Sequence, residues 1–310
     1  MRRTIPPEIE ADLKRAVRLE WWTIAWMASI IVLIGLAMGS SQAMKTAWIE
    51  DVLSLVPSLV FLLAVHFERK PPTARFPYGY QRVTSLAFLV AAVALAVMGS
   101  VLLVESILSL AKAEHVTVPP VRLLGQEIWL GWLMIAALAY STIPPVILGR
   151  MKLPLARRLQ DEVLHTDALM QKADWMTGLA GIAGIIGIGL GYWWADAVAA
   201  GIISFSILTD GVTALRIAVA ELADGAPREL GSTGVEEEAL ALEARLSELY
   251  PGGEVQLRDS GRYILANVCG VPSPGRVDLD SIWPGRPDRS WRFAQLSFAP
   301  PSIESDEAAA

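Results

Sequence analysis

Acidic side chains in or beside long apolar runs are the groups of this chain best able to do chemistry. Asp167 and Asp174 flank the start of an apolar run from Ala168 to Leu190, and Glu50 and Asp51 head another from Ala47 to Val65. A carboxylate withdrawn from water costs several kcal/mol unless something compensates it, so acids kept in a span point to cation or proton handling. At about 100° per residue, Asp167, Met170, Gln171 and Asp174 share one helix face, and Glu50, Leu53, Ser54 and Pro57 share another. His165 and Lys172 fall on the opposite face from Asp174. A lysine well inside a span needs a partner. Asp51, about 100° round from Glu50, supplies one, so an Asp51–Lys172 pair is expected. Asp210 and Glu105 lie near span ends, where solvation accounts for them. His165, near another end, is expected to be structural.

The elements that must position these groups are membrane spans. A helix crosses a bilayer with about 20 apolar residues. Six runs qualify: Trp21 to Gly39, Ala47 to Val65, Val83 to Val104, Ile128 to Leu148, Ala168 to Leu190 and Ala195 to Ile217. Of the 310 residues, 53% are hydrophobic and 19% charged, below the roughly 25% charged of soluble domains. The first apolar run is too long for a signal peptide; Trp21 and Trp22 are expected to anchor it at an interface. Glycines at 178, 181, 184 and 187 mark one helix for close packing.

Basic residues set the expected orientation. Arg2, Arg3, Lys14, Arg15 and Arg18 precede the first span; Arg69, Lys70, Arg75 and Arg82 follow the second; Arg150, Lys152, Arg157 and Arg158 follow the fourth. The other connections hold Lys45, Lys112 and Arg122. Both termini are therefore expected in the cytoplasm, in a multi-pass inner-membrane protein. A net charge of −6 argues against a nucleic-acid partner, and the single Cys269 excludes an internal disulfide. The expected division is a cytoplasmic segment over 1–20, a six-helix domain over 21–224, a soluble α+β module over 225–300 and a disordered acidic tail over 301–310. Within the module, Asp224 to Val235 has the composition of a linker, Glu236 to Tyr250 helical spacing, and Glu254 to Val271 the alternation of two strands around Asp259-Ser260-Gly261-Arg262.

Four segments carry a resemblance. Phe76-Pro77-Tyr78-Gly79-Tyr80-Gln81-Arg82 opens the third span. Tyr192-Trp193-Trp194-Ala195-Asp196 opens the sixth, and Glu221 to Pro227 leaves it. Arg258-Asp259-Ser260-Gly261-Arg262 sits in the module. In this order, over residues 20 to 270, they resemble the cation diffusion facilitator family of divalent-metal transporters. The resemblance implies six transmembrane helices followed by a small ferredoxin-like domain that dimerises. It implies no catalysis and no permanently bound cofactor: the metal is cargo, moved against protons. It also implies ligands on helices two and five.

Helix five, Thr166 to Asp174, matches the family's ADxxHxxxD pattern with Met170 in place of His. On helix two, Glu50 falls on the family's preceding acid while Leu53 and Pro57 take the two ligand positions. The expected site is therefore shifted, to Asp174 and Glu50 with Asp167 and Asp51 as further carboxylates and Ser54, Met170 or Gln171 as helpers. Such oxygen-rich ligands suit Mn²⁺, Fe²⁺ or Mg²⁺. With its three histidines at 66, 115 and 165, the chain has none in the module, so a regulatory metal cluster is not expected there. The lost ligands also admit a transport-inactive relative serving as scaffold or sensor. An intramembrane enzyme has no support, because HExxH and P-loop motifs are absent.

Overall fold

The computed structural model describes residues 5–37, 51–112, 120–123, 126–192 and 194–300. Among the described residues, the bundle contains α1 (Pro7–Ala37), α2 (Val56–Glu68), α3 (Val83–Ala111), α4 (Leu130–Leu159), α5 (Glu162–Gly189) and α6 (Ala195–Leu222). Among the described residues, Asp51–Glu68, Val83–Ala111 and Ala197–Leu222 are long and apolar enough to cross a membrane. This is an α-helical membrane protein with a small mixed sheet at its C-terminal end.

α1 has 31 residues and so extends about 46 Å, well beyond the roughly 30 Å hydrocarbon layer. Its first turns accordingly carry the exposed Lys14–Glu10 pair at 2.8 Å. Trp21 and Trp22 then point outward, 61% and 70% exposed, as interfacial anchors do. The fourth helix departs from expectation at both ends. Ile128 belongs to a short hairpin of β1 (Pro120–Leu123) and β2 (Gln126–Trp129). Past Leu148 the helix continues through Pro154 to Leu159, so Arg150, Lys152, Arg157 and Arg158 are helical rather than loop residues. Lys152 is fully buried.

Glycines set two helix crossings. A Cβ on Gly99 of α3 would lie 2.6 Å from the Leu208 backbone, and one on Gly211 of α6 would lie 2.6 Å from that of Ala96. The two backbones therefore touch reciprocally. On α5, a Cβ at Gly178 would collide with Thr142, and one at Gly181 would press on Leu138 at 3.2 Å. These two members of the expected glycine stripe bring α4 and α5 together.

The module contains α7 (Glu237–Leu249), β3 (Glu254–Ser260), β4 (Tyr263–Cys269), the four-residue α8 (Leu279–Ile282) and β5 (Phe293–Ala299). The sheet order is β3-β4-β5, antiparallel then parallel. A ferredoxin-like unit has four strands and two full helices; the described module has three strands, and α8 stands where the second helix would be. Leu242 and Leu246 of α7 cover one sheet face through Ile264, Ala266 and Phe293. Tyr263 and Trp291 instead join Leu13, Phe61, Phe88 and Leu155 in the bundle's own core. The stretch before α7 is not a free linker: Arg228 bridges to Val235, and the Gly231 N–H donates to Glu162 Oε1 of α5 at 3.0 Å. The tail beyond residue 300 lies outside the described residues.

Candidate metal centre

The chain turns helical at Asp51 and re-forms after Leu55 into α2, which brings Ser54 against α5. Ser54 Oγ donates to Asp174 Oδ1 at 2.8 Å and lies 3.7 Å from Met98 Sδ of α3. The residue facing Asp174 is therefore Ser54, not Leu53 or Pro57. Leu53 packs with the apolar residues around Met98, and Pro57 is buried near the N-terminus of α2. Glu50, one turn before Ser54, lies outside the described residues. Met170 is fully buried among Leu95, Met98, Leu102 and Ala173, where its thioether fills space. Gln171 is buried too, with its amide nitrogen unbonded.

Lys172 does not reach Asp51. Its ammonium lies 3.1 Å from Asp210 Oδ2 of α6. Asp210, expected to be solvated, is instead two-thirds buried in this pair. Asp167 stands two turns from Asp174 and has its own partners: Ser58 Oγ at 2.7 Å and the Lys152 ammonium. Lys152 in turn holds Glu20 of α1 at 2.8 Å. Glu20, Ser58 and Lys152 escaped the sequence reading. Lys152 did carry a signal, because Leu155, Ala156 and Leu159 follow it at helical spacing and all are buried. Among the described residues, no three His, Cys, Asp or Glu side chains are arranged to hold a metal ion.

The β3–β4 turn docks onto the bundle ends. Ser260 pairs with Tyr263 across a two-residue turn whose Gly261 has φ +63°. A side chain there would also press on Thr84 and the Gln81 carbonyl at 3.1 Å, so glycine suits both the turn and the close approach. The Gly261 N–H donates to Glu221 Oε1 and Ser85 Oγ, both at 3.1 Å. Arg262 is buried between Asp161 at 2.8 Å and Glu68 at 3.2 Å, and the Tyr263 hydroxyl donates to Glu68 at 3.0 Å. Burial works against the Arg262 charge, but Glu68 and Asp161 outweigh it and hold the guanidinium firmly protonated. Burial pushes Asp259 up to about 7, against the pull of Arg292.

Residues 21–223, about two-thirds of the chain, match the cation efflux transmembrane domain. The chain belongs to the cation efflux family. Relatives of this cation efflux protein include a "Probable cation efflux system protein" of Mycobacterium tuberculosis, 25% identical over 202 residues covering 64% of this chain and 56% of the relative. The manganese efflux system protein MneP of Bacillus subtilis is 24% identical over 207 residues, 63% of this chain and 65% of its own. The zinc transporter ZitB of Escherichia coli is 31% identical over 174 residues, 56% of this chain and 51% of its own. The chain thus spans between about half and two-thirds of the length of these relatives.

Proposed function

We propose that this protein exports a divalent metal ion from the cytoplasm in exchange for protons, by alternating access to a site between α2 and α5. The observation that carries this reading is the Ser54–Asp174 contact at 2.8 Å, a carboxylate held against the facing helix in a chain of the cation efflux family. Asp174 and Glu50 serve as the charged ligands, Ser54 as a neutral oxygen and Gln171 as a helper one turn from Asp174. Asp51 stands beside this set as a further acid at the head of the same helix. Asp167 is drawn off by Lys152, and Met170 only packs.

The chemistry accounts for the coupling. A carboxylate binds metal only when deprotonated, so ion and proton compete for one site, and exposing it to each side in turn exchanges one for the other. Two carboxylates and a hydroxyl, completed by water, favour a hard ion over a site built from imidazoles. Mn²⁺ therefore stands first, in keeping with a relative named as a manganese efflux protein. The module side is the cytoplasmic side, as the basic residues predict, and the module pairs two copies of the protein as a homodimer. A transport-inactive scaffold or sensor is the second reading, favoured by the thioether of Met170 in the family's His position.

Proteoliposomes holding a metal-sensitive dye and a pH dye test the proposal with Mn²⁺, Zn²⁺, Fe²⁺, Co²⁺, Cd²⁺, Ni²⁺ and Mg²⁺. Flux of one ion with opposed proton movement, lost in Asp174→Asn, is expected. Silence across the panel from folded, inserted protein would leave the scaffold standing.

A further inference from the structure

A second convergence of charge lies between the cytoplasmic surface and Asp174. Lys152 of α4 lies 2.8 Å from Glu20 Oε2 of α1 and donates to Asp167 Oδ2 of α5; the other Asp167 oxygen accepts from Ser58 of α2 at 2.7 Å. None of these four side chains has any exposure. Four helices thus each contribute one group to the cluster: α4 the ammonium, α1 and α5 the two carboxylates it touches, and α2 the hydroxyl bonded to Asp167. Glu20 Oε1 is buried without a hydrogen-bond partner, which is uncommon for a carboxylate oxygen. With both carboxylates ionised, the one lysine leaves the cluster with one negative charge in excess.

The cluster lies at the edge of the expected spans, beside the starts of the apolar runs at Trp21 and Ala168. Glu20 directly precedes the outward-pointing Trp21 and Trp22, and Asp167 is seven residues, about 10 Å, to the cytoplasmic side of Asp174. Gln171 lies between the two levels. It packs so closely on α4 that a Cβ on Gly149, one turn outward of Lys152, would lie 3.1 Å from the Gln171 Cβ. Its side-chain amide is buried with the nitrogen unbonded, and the carbonyl oxygen of that amide is the atom a cation would use between the lower cluster and the upper one.

We propose that Glu20, Asp167 and Ser58 form an entry site for a divalent cation at the cytoplasmic mouth, occupied by the Lys152 ammonium as a tethered substitute while no ion is there. The inference rests on the reading that this chain moves divalent ions. Charge supports it: a divalent ion cancels two carboxylates, whereas the lysine leaves one negative charge uncompensated. Ligand type supports it as well. A hard ion needs only one or two carboxylates when it keeps several waters, and Ser58 and the orphan Glu20 oxygen supply two further donors. Lysine is also a residue type able to yield, being a point charge on a flexible stem with no fixed bidentate geometry. With the ammonium in place the mouth is closed; an arriving ion displaces it and opens the way to Gln171 and Asp174.

Mn²⁺ titration followed by electron paramagnetic resonance tests the site, in an Asp174→Asn background that removes the upper ligand. Adding Lys152→Met should create one Mn²⁺ site per chain, at least tenfold tighter than anything in the parent, and adding Glu20→Gln should abolish it. A folded Lys152→Met variant that binds no more Mn²⁺ than its parent overturns the proposal. Should that variant fail to fold, labelling of Lys152 in the Asp174→Asn protein by a small amine-reactive reagent, read by mass spectrometry, gives the answer. Saturating Mn²⁺ should speed labelling several-fold by expelling the ammonium, and an unchanged rate overturns the entry site. Failure of wild-type flux would sink the transport reading while these binding measurements still decide the site.

Discussion

Two buried cations, each set between two carboxylates, hold this molecule together in different ways. Lys152 sits between Glu20 and Asp167, with all three residues on bundle helices. Arg262 sits between Glu68 and Asp161, but it comes from the β3–β4 turn of the module and enters the bundle from outside. Arginine keeps its charge under all ordinary conditions, and its neighbours reinforce that charge here. Tyr263, Gly261 and Trp291 fix the same turn from three sides. The lysine has no such supporting frame. The same charge arrangement therefore serves as a permanent rivet when an arginine on a rigid turn supplies the cation, and as a removable stopper when a lysine does.

The largest effect that would break this contrast is loss of either cation. Arg262→Ala strands Glu68 and Asp161 in the interior, a loss of about 3–5 kcal/mol for a buried pair deprived of one partner. It should lower the melting temperature in detergent whether or not divalent ions are present, and adding Glu68→Gln with Asp161→Asn should restore much of it. Lys152→Met should cost a similar amount without metal but regain stability when Mn²⁺ is added. Equal behaviour of the two variants towards Mn²⁺, measured by tryptophan-monitored melting, would erase the distinction.

The rivet region should also titrate. Burial raises Asp259 to about 7 and Glu162 to about 8, above the unfolded values near 4. Between those limits the folded state holds more protons than the unfolded one, so stability falls as pH rises from about 4 to 8. For Asp259 the span of about three units corresponds to at most roughly 4 kcal/mol. Asp259→Asn should flatten the part of the melting curve below pH 7 and leave the Glu162 part. A wild-type melting temperature that climbs over that interval would contradict the burial of these acids.

Next in size is the Lys172–Asp210 pair, part-exposed on both sides at 42% and 33%. Lys172→Met removes one partner and should cost about 1–3 kcal/mol, the range for a polar group left unmatched. Adding Asp210→Asn should return most of it, whereas Asp51→Asn should not. Rescue by the Asp51 change would reinstate the pairing that helical geometry alone suggested.

Much of the architecture was legible because it is written in local pattern. The apolar helices and the strand alternation on either side of Gly261 follow from periodicity and turn residues. The site was legible only within one helix. Asp174 stands out as a candidate because it lies in an apolar run, but its partner depends on the rotational phase of α2 against α5, and one residue of phase separates Leu53 from Ser54. The apolar run ends before Lys152 and so places it in a loop, whereas α4 continues to Leu159. Asp51 and Asp210 were exchanged as partners of Lys172 because helix neighbours on different chain segments are set by packing. The close contact of Gly99 and Gly211 shows how α6, and Asp210 with it, is held: α3 packs against it backbone to backbone.

The smallest effect belongs to the rim of the same junction. Asp224, at φ +59°, accepts from Arg258 at 2.8 Å and also from Arg82. All three side chains are nearly half exposed. Burial is the largest single influence and opposes the Asp224 charge, but Arg258 and Arg82 together outweigh it and hold the carboxyl below its usual range. Water and salt compete for such groups, and exposed pairs are typically worth about 0.2–1 kcal/mol. Arg258→Ala should therefore lower stability by no more than that, since Arg82 still neutralises Asp224, and the difference should vanish in 0.5–1 M salt, where the screening length is only a few ångströms. The loss in Arg262→Ala should persist in the same salt, because a fully buried pair is screened far less. If Arg258→Ala proved as damaging as Arg262→Ala and as indifferent to salt, the hold of the module on the bundle would reside at its exposed rim and not in the buried arginine.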